Sequence, residues 1–366
     1  MTKTQAALVM IPPGGEFSLF FVRCLASAAM MSCHNGPYPI EGIHRTQDLH
    51  ANFIPISIGS RDDLDSPEQE NTDWPQQLSD QIQLILDRKR SSVYGREDSY
   101  ATFCRIAKYH YVEEQIRPRV IDLVAAFCKS IKLETSMAES SLALRSLELL
   151  AITAFDDTIY ENVEPVLTRT IRTSAFNDVK ARAIHCLGAC AIFGGAGEES
   201  IMDQMAFLLD IVASDGQAID AADSGDTVCA ALQQWGFLAT EMEDLENESE
   251  EAIQIFMDQL NSSHANVQIA AGENIALLYE KSYTPQEDDE DEPEEDSEED
   301  SDEEYEAEAE GGDRLIKRYN AYHNTPELES QLQSLASIHD KRVNKLDRKS
   351  LRDNFASILT TVQNPR

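Results

Sequence analysis

From Trp74 onward, apolar residues recur every three to four positions in blocks separated by short polar breaks, the period of helices that bury one face. The blocks come in pairs. Trp74–Arg90 is followed by Arg96–Tyr111, Ile116–Ile131 by Met137–Phe155, Tyr160–Thr173 by Asp178–Phe193, Ser200–Ala213 by Ser224–Thr240, and Glu250–Leu260 by Ala265–Ser282. First members begin about 40 to 50 residues apart, the spacing of armadillo and HEAT repeats. No pair can bury its apolar face alone, so each must stack on the next. The pattern predicts an all-α fold, an armadillo/HEAT-like α-solenoid of about five helix pairs over residues 74–284, needing neither flank for its core.

Local signals agree. Asp73 and Pro75 suit a helix start. Leu142–Phe155 is apolar around most of its circumference, as expected of a helix with neighbours on two sides. Val228, Ala231, Leu232, Trp235 and Leu238 form one stripe, which places Trp235 in the core. Asn274 shares the buried arc of Val267, Ala271, Ile275 and Leu278 and needs a hydrogen-bond partner, expected from a neighbouring loop. Gly194–Gly197 reads as a helix C-cap and turn, not a phosphate cradle, since no strand precedes it and no Gly-Lys-Ser/Thr follows. Asp215–Asp223 reads as an exposed acidic insertion.

The flanks differ sharply from the body. In residues 1–73, Pro and Gly break every candidate element, and the stretch reads as poorly ordered apart from a short helix near Phe17–Met31. Between Glu287 and Glu310, 18 residues are Asp or Glu. Such a run cannot repay its ordering entropy, so residues 285–312 read as an acidic, disordered linker. Ser297 and Ser301 lie in acidic surroundings that suit an acidophilic kinase, and their phosphorylation would deepen the charge. Residues 313–366 then read as a short C-terminal helical domain. Thr325-Pro326-Glu327 opens one helix there, with Thr325 as its cap, and a second runs from about Asp340 to Thr360.

Charge narrows the partners. The formal net charge is −36, and the acidic run supplies half of it. The body as a whole repels nucleic acid and anionic lipid, so any such contact needs a local basic patch. Seven cysteines, mostly inside helical apolar patterns, read as reduced core thiols of an intracellular protein. His185, Cys186 and Cys190 crowd one helix, but a structural zinc site wants a fourth ligand and a C-x2-C pair. No nucleophile, acid–base or cofactor constellation emerges. The chain reads as non-enzymatic, without metal, cofactor or small-molecule substrate. Phe17–Met31, interrupted by Arg23, is a poor signal peptide, and no run is long and apolar enough to span a bilayer.

One patch stands against the acidity. On the last helix Lys341, Arg342, Lys345, Arg348, Lys349 and Arg352 fall within about 120° of arc, while Leu351, Phe355 and Ile358 form a separate apolar strip. A one-faced basic helix on an acidic chain points to nucleic-acid phosphates.

Asp226–Thr240 (DTVCAALQQWGFLAT) and Val267–Glu280 (VQIAAGENIALLYE) resemble signatures of the interferon-related developmental regulator family, and Asp340–Phe355 (DKRVNKLDRKSLRDNF) resembles its basic C-terminal segment. The resemblance covers Trp74 to Ile358, apart from the acidic run. Val343 and Leu346 stand where the family's basic string is usually denser. The resemblance implies an armadillo-like superhelix and a non-enzymatic regulator. It points to ribosomes held translationally silent, with the C-terminal helix in an RNA path and the solenoid docked on protein. The alternative it carries is transcriptional co-regulation, the solenoid acting as a scaffold for chromatin or deacetylase complexes. Either role places the chain in the cytoplasm or nucleus, off the membrane.

Overall fold

The computed structural model describes residues 73–222, 224–285, 315–339 and 344–365. Within them the expected pairs appear as α1 (Trp74–Leu86) with α2 (Val93–Tyr109), α4 (Val120–Leu133) with α5 (Met137–Ala154), and α6 (Ile159–Thr173) with α7 (Asn177–Phe193). Next come α8 (Glu198–Ala213) with α9 (Gly225–Ala239) and α10 (Glu246–Gln259) with α11 (Ala265–Lys281). A single turn, α3 (Glu113–Ile116), precedes α4. The all-α solenoid is therefore present. Residues 1–72 and 286–314 lie outside the described residues, and with them all but Asp73 of the expected N-terminal segment 1–73 and all but Pro285 of the expected linker 285–312, including Ser297 and Ser301.

Boundaries moved where the backbone had a local reason. The first helix stops at Leu86 instead of Arg90, because α2 takes Ser92 as its cap, whose Oγ accepts from the Gly95 amide at 3.0 Å. Pro118 sits in a 3₁₀ turn over Arg117–Arg119, so α4 starts four residues later than the apolar pattern suggested. Pro has no amide hydrogen to give an ongoing helix. Asp73 occupies the first N-cap, yet its side chain makes no capping bond.

The second helices of the pairs stack in chain order, α2 on α5, α7, α9 and α11, and form the continuous core layer. Trp235 lies in it as expected, 1% exposed and edge-on to Phe256 of α10 at 4.9 Å between ring centres. Asn274 is fully buried, but its partner is not a loop: Nδ2 donates to the Leu232 carbonyl inside α9 at 2.9 Å. The insertion after α8 is also more than an exposed loop. Ile219 and Ala221 are buried, and the ammonium of Lys180, itself 1% exposed, donates to the carbonyls of Ile219 and Asp220. The insertion is thus pinned from α7 and wedged against α6.

The first two layers are joined by a buried ionic network. Glu139, with no exposure, accepts from Arg96 Nε and Nη2 at 2.8 Å each and from Arg88 Nη2 at 3.0 Å. Beside it Tyr100 and Ser130 share a 2.6 Å hydroxyl contact. Burial alone would raise the Glu139 carboxyl. The Arg96 and Ser130 hydrogen bonds and the two guanidinium charges outweigh it and hold the group below its ordinary value. The stability such a depressed carboxyl brings is fully present above the ordinary carboxylate range and is lost as pH falls through the depressed folded value. We expect acid titration of the wild type to show this loss and Glu139→Gln to flatten it. The substitution should cost up to ~3–5 kcal/mol at neutral pH, because it leaves two partly buried guanidiniums without their anion. Equal acid midpoints for the two proteins would contradict the assignment.

The structure departs most from the sequence reading beyond the acidic run. β1 (Tyr283–Pro285) pairs antiparallel with β2 (Leu315–Lys317), Tyr283 opposite Lys317 and Pro285 opposite Leu315. The chain thus leaves the solenoid and returns to it at one place. It then forms α12 (Thr325–Ala336) and α13 (Lys345–Gln363). These pack on each other, and α13 packs on α11, extending the core layer by a sixth pair. Leu328, Leu332, Leu351, Phe355 and Ile358 are buried there. So the fifth pair does not end in solvent, and the core does draw on residues past 284. Asn324, not Thr325, is the N-cap position of α12; the Thr325 hydroxyl meets Tyr279 Oη of α11 at 2.9 Å instead.

Candidate nucleic-acid interface

Helix α13 is specified locally at its start. Asn344 caps it, its Oδ1 accepting from the amides of Leu346 and Asp347 at 2.9 Å each. The apolar strip expected on this helix is real: Leu351, Phe355, Ile358, Leu359 and Val362 are all buried. What seats it is Gly272 on α11. A Cβ there would stand 2.8 Å from Phe355 Cε1 and 2.9 Å from Ile358 Cδ1, so any larger residue would have to displace those two side chains. Gln363 Nε2 reaches Glu329 Oε2 of α12 at 3.4 Å.

With that strip turned inward, Lys345, Lys349 and Arg352 are exposed and Arg348 is half-buried. The four fall within about 100° of arc. Among the described residues none of them forms an ion pair. Lys341 and Arg342 lie outside the described residues. Lys345, at the first helical position, faces the positive end of the helix dipole, which disfavours a cation there. Helix stability therefore does not account for Lys345.

The layers of the solenoid next to α13 are poor in cations. Residues 197–285 contain 18 Asp or Glu and a single Lys or Arg, Lys281. Its ammonium is engaged by the carbonyls of Thr240 and Met242, and burial lowers its pKa. Residues 73–196, by contrast, nearly balance, with 16 acids and 15 bases. The basic face of α13 is thus an island beside the acidic half of the solenoid, and the sequence reading, which treated the body's acidity as even, missed this division. Counting charges per layer would have found it.

The thiol cluster has the chemistry of a core. Cys186 and Cys190 lie 4.0 Å apart between sulfurs and fully buried. Burial pushes Cys104 and Cys128 up to about 11 and Cys229 up to about 12. Such thiols stay protonated at neutral pH and are poor nucleophiles. His185 is driven down to about 4 by burial and by the Arg182 charge, and its Nδ1 lies 3.0 Å from Gln234 Nε2. Among the described residues no three His, Cys, Asp or Glu side chains are arranged to hold a metal ion. No described helix is long and apolar enough to cross a membrane.

Fold and site together define an all-α repeat protein with a cationic terminal helix on an acidic body. The chain belongs to the interferon-related developmental regulator family, whose sequence profile matches residues 55–363. That match starts before Trp74, where the sequence reading placed the edge of the resemblance, and it runs through the sixth pair. The chain is also similar to an uncharacterized protein of Schizosaccharomyces pombe, 23% identical over 321 residues that cover 87% of this chain and 68% of the relative. Family membership makes it a regulator.

Proposed function

We propose that this regulator acts without catalysis, by binding ribosomes or RNA through the phosphate-facing side of α13 while the solenoid docks on protein. The observation that carries the reading is the cationic face of Lys345, Arg348, Lys349 and Arg352, held outward by the apolar strip seated on Gly272. Phosphate contacts position a chain without reading bases, so sequence preference should be weak. Cytoplasm or nucleus is the compartment this reading implies.

A co-regulator that scaffolds chromatin or deacetylase complexes would need only the solenoid surface and has no use for this helix. Sedimentation with ribosomes separates the two. The intact chain should pellet with them, and a chain ending at Glu310 should stay in the supernatant. Equal pelleting would pass the function to the solenoid surface.

A further inference from the structure

The acidic half of the solenoid has its own concavity. At one edge, where α7 and α9 end and α8 begins, a cleft of about 340 Å³ is floored by Ile192, Ile201 and Met242 and rimmed by Glu198, Glu241 and Glu243. All three rim glutamates are exposed. The same helix ends carry half-buried aromatic rings. Phe193 of α7 stands edge-on to Phe155 at 5.4 Å and tilted against Phe237 of α9 at 6.4 Å. Phe155, the residue after α5, adopts φ 46°, a left-handed conformation that costs a non-glycine residue energy.

We infer that this edge is a docking groove for a basic protein segment, an extended stretch of Lys or Arg carrying at least one aliphatic side chain. Two features choose that occupant. The apolar floor takes an aliphatic anchor. The glutamate rim, set in a region with 18 acids to one base, attracts cations over a distance of about a Debye length and repels phosphates, which excludes nucleic acid and anionic membrane. The groove would supply the protein contact of the solenoid, independently of the cationic face on α13.

The test uses the full chain and two labelled peptides of equal length, one alternating Arg and Leu, the other Arg and Ser, read by fluorescence anisotropy at about 0.15 M salt. The acidic run binds both alike through charge, so only a groove with an apolar floor tells them apart. The Leu peptide should bind about tenfold tighter than the Ser peptide. Glu241→Lys with Glu243→Lys should erase that preference, as should Glu198→Lys alone in part, with the thermal melt unchanged. Reversing the charges on α13 should leave peptide binding intact. Equal affinity for the two peptides, or a preference that survives the double variant, overturns the groove. So does a loss of RNA binding in the Glu241→Lys/Glu243→Lys protein, which would make this edge a nucleic-acid surface.

Discussion

Replacing Lys345, Arg348, Lys349 and Arg352 with Glu should abolish RNA and ribosome association and leave the melt of the solenoid where it was. Hydrogen exchange across α12 and α13 should also be unchanged, which separates lost charge from a frayed helix. Three of the four side chains are exposed and Arg348 is half-buried, and the buried strip that seats α13 is untouched by the replacements. Before replacement, salt should reveal the mechanism. Each phosphate neutralised releases counterions, and with about four contacts to single-stranded RNA log K should fall against log salt with a slope of roughly −3. Removing Glu287–Glu310 should act oppositely and tighten binding at low salt, because 18 carboxylates tethered to the same chain compete with phosphate for the cations. Undiminished ribosome pelleting by the charge-reversed chain would end the phosphate reading.

The repeat was legible because its signal is redundant. Five pairs each repeat the same apolar period, and an error at one boundary, such as Pro118 or Ser92, shifts an end without moving the layer. The apolar strip of α13 was legible too, since Leu351, Phe355 and Ile358 recur at helical spacing. What the strip packs on was not. The partner is Gly272, a residue with no side chain, about 80 positions earlier and across the acidic run. A glycine on the inner helix of a repeat gives no periodic signal of its own. The β1–β2 ribbon was hidden for a similar reason, because three-residue strands fall below any periodicity. Lys180 and Glu139 show a different limit. Charged residues inside helical patterns read as solvent-facing, yet here both are buried, Lys180 on loop carbonyls and Glu139 between two arginines. Only the fold reveals that their partners come from other layers.

Phe355→Ala should detach the sixth pair and weaken RNA binding without removing a single cation. Phe355 has no exposure and fills the seat above Gly272, so truncating it should cost ~3–5 kcal/mol. In a stacked repeat each layer touches only its neighbours, and the cost falls on the last interface rather than on the whole molecule. Local opening of α12 and α13 should therefore rise by about two orders of magnitude or more, while the main melt of α1–α11 moves little. Trypsin reports this directly, since Lys345, Arg348, Lys349 and Arg352 become cleavable when α13 opens, and cleavage follows the open population when reclosing is fast. Gly272→Leu should produce the same phenotype from the other side of the contact, with α13 unaltered in sequence. The binding loss follows from organisation: the cations then belong to a fraying segment, and ordering it again must be repaid before any phosphate contact gains. If both variants resist trypsin as the wild type does and bind RNA equally, the seat on α11 is not what holds the basic face outward, and the cations act as a free tail.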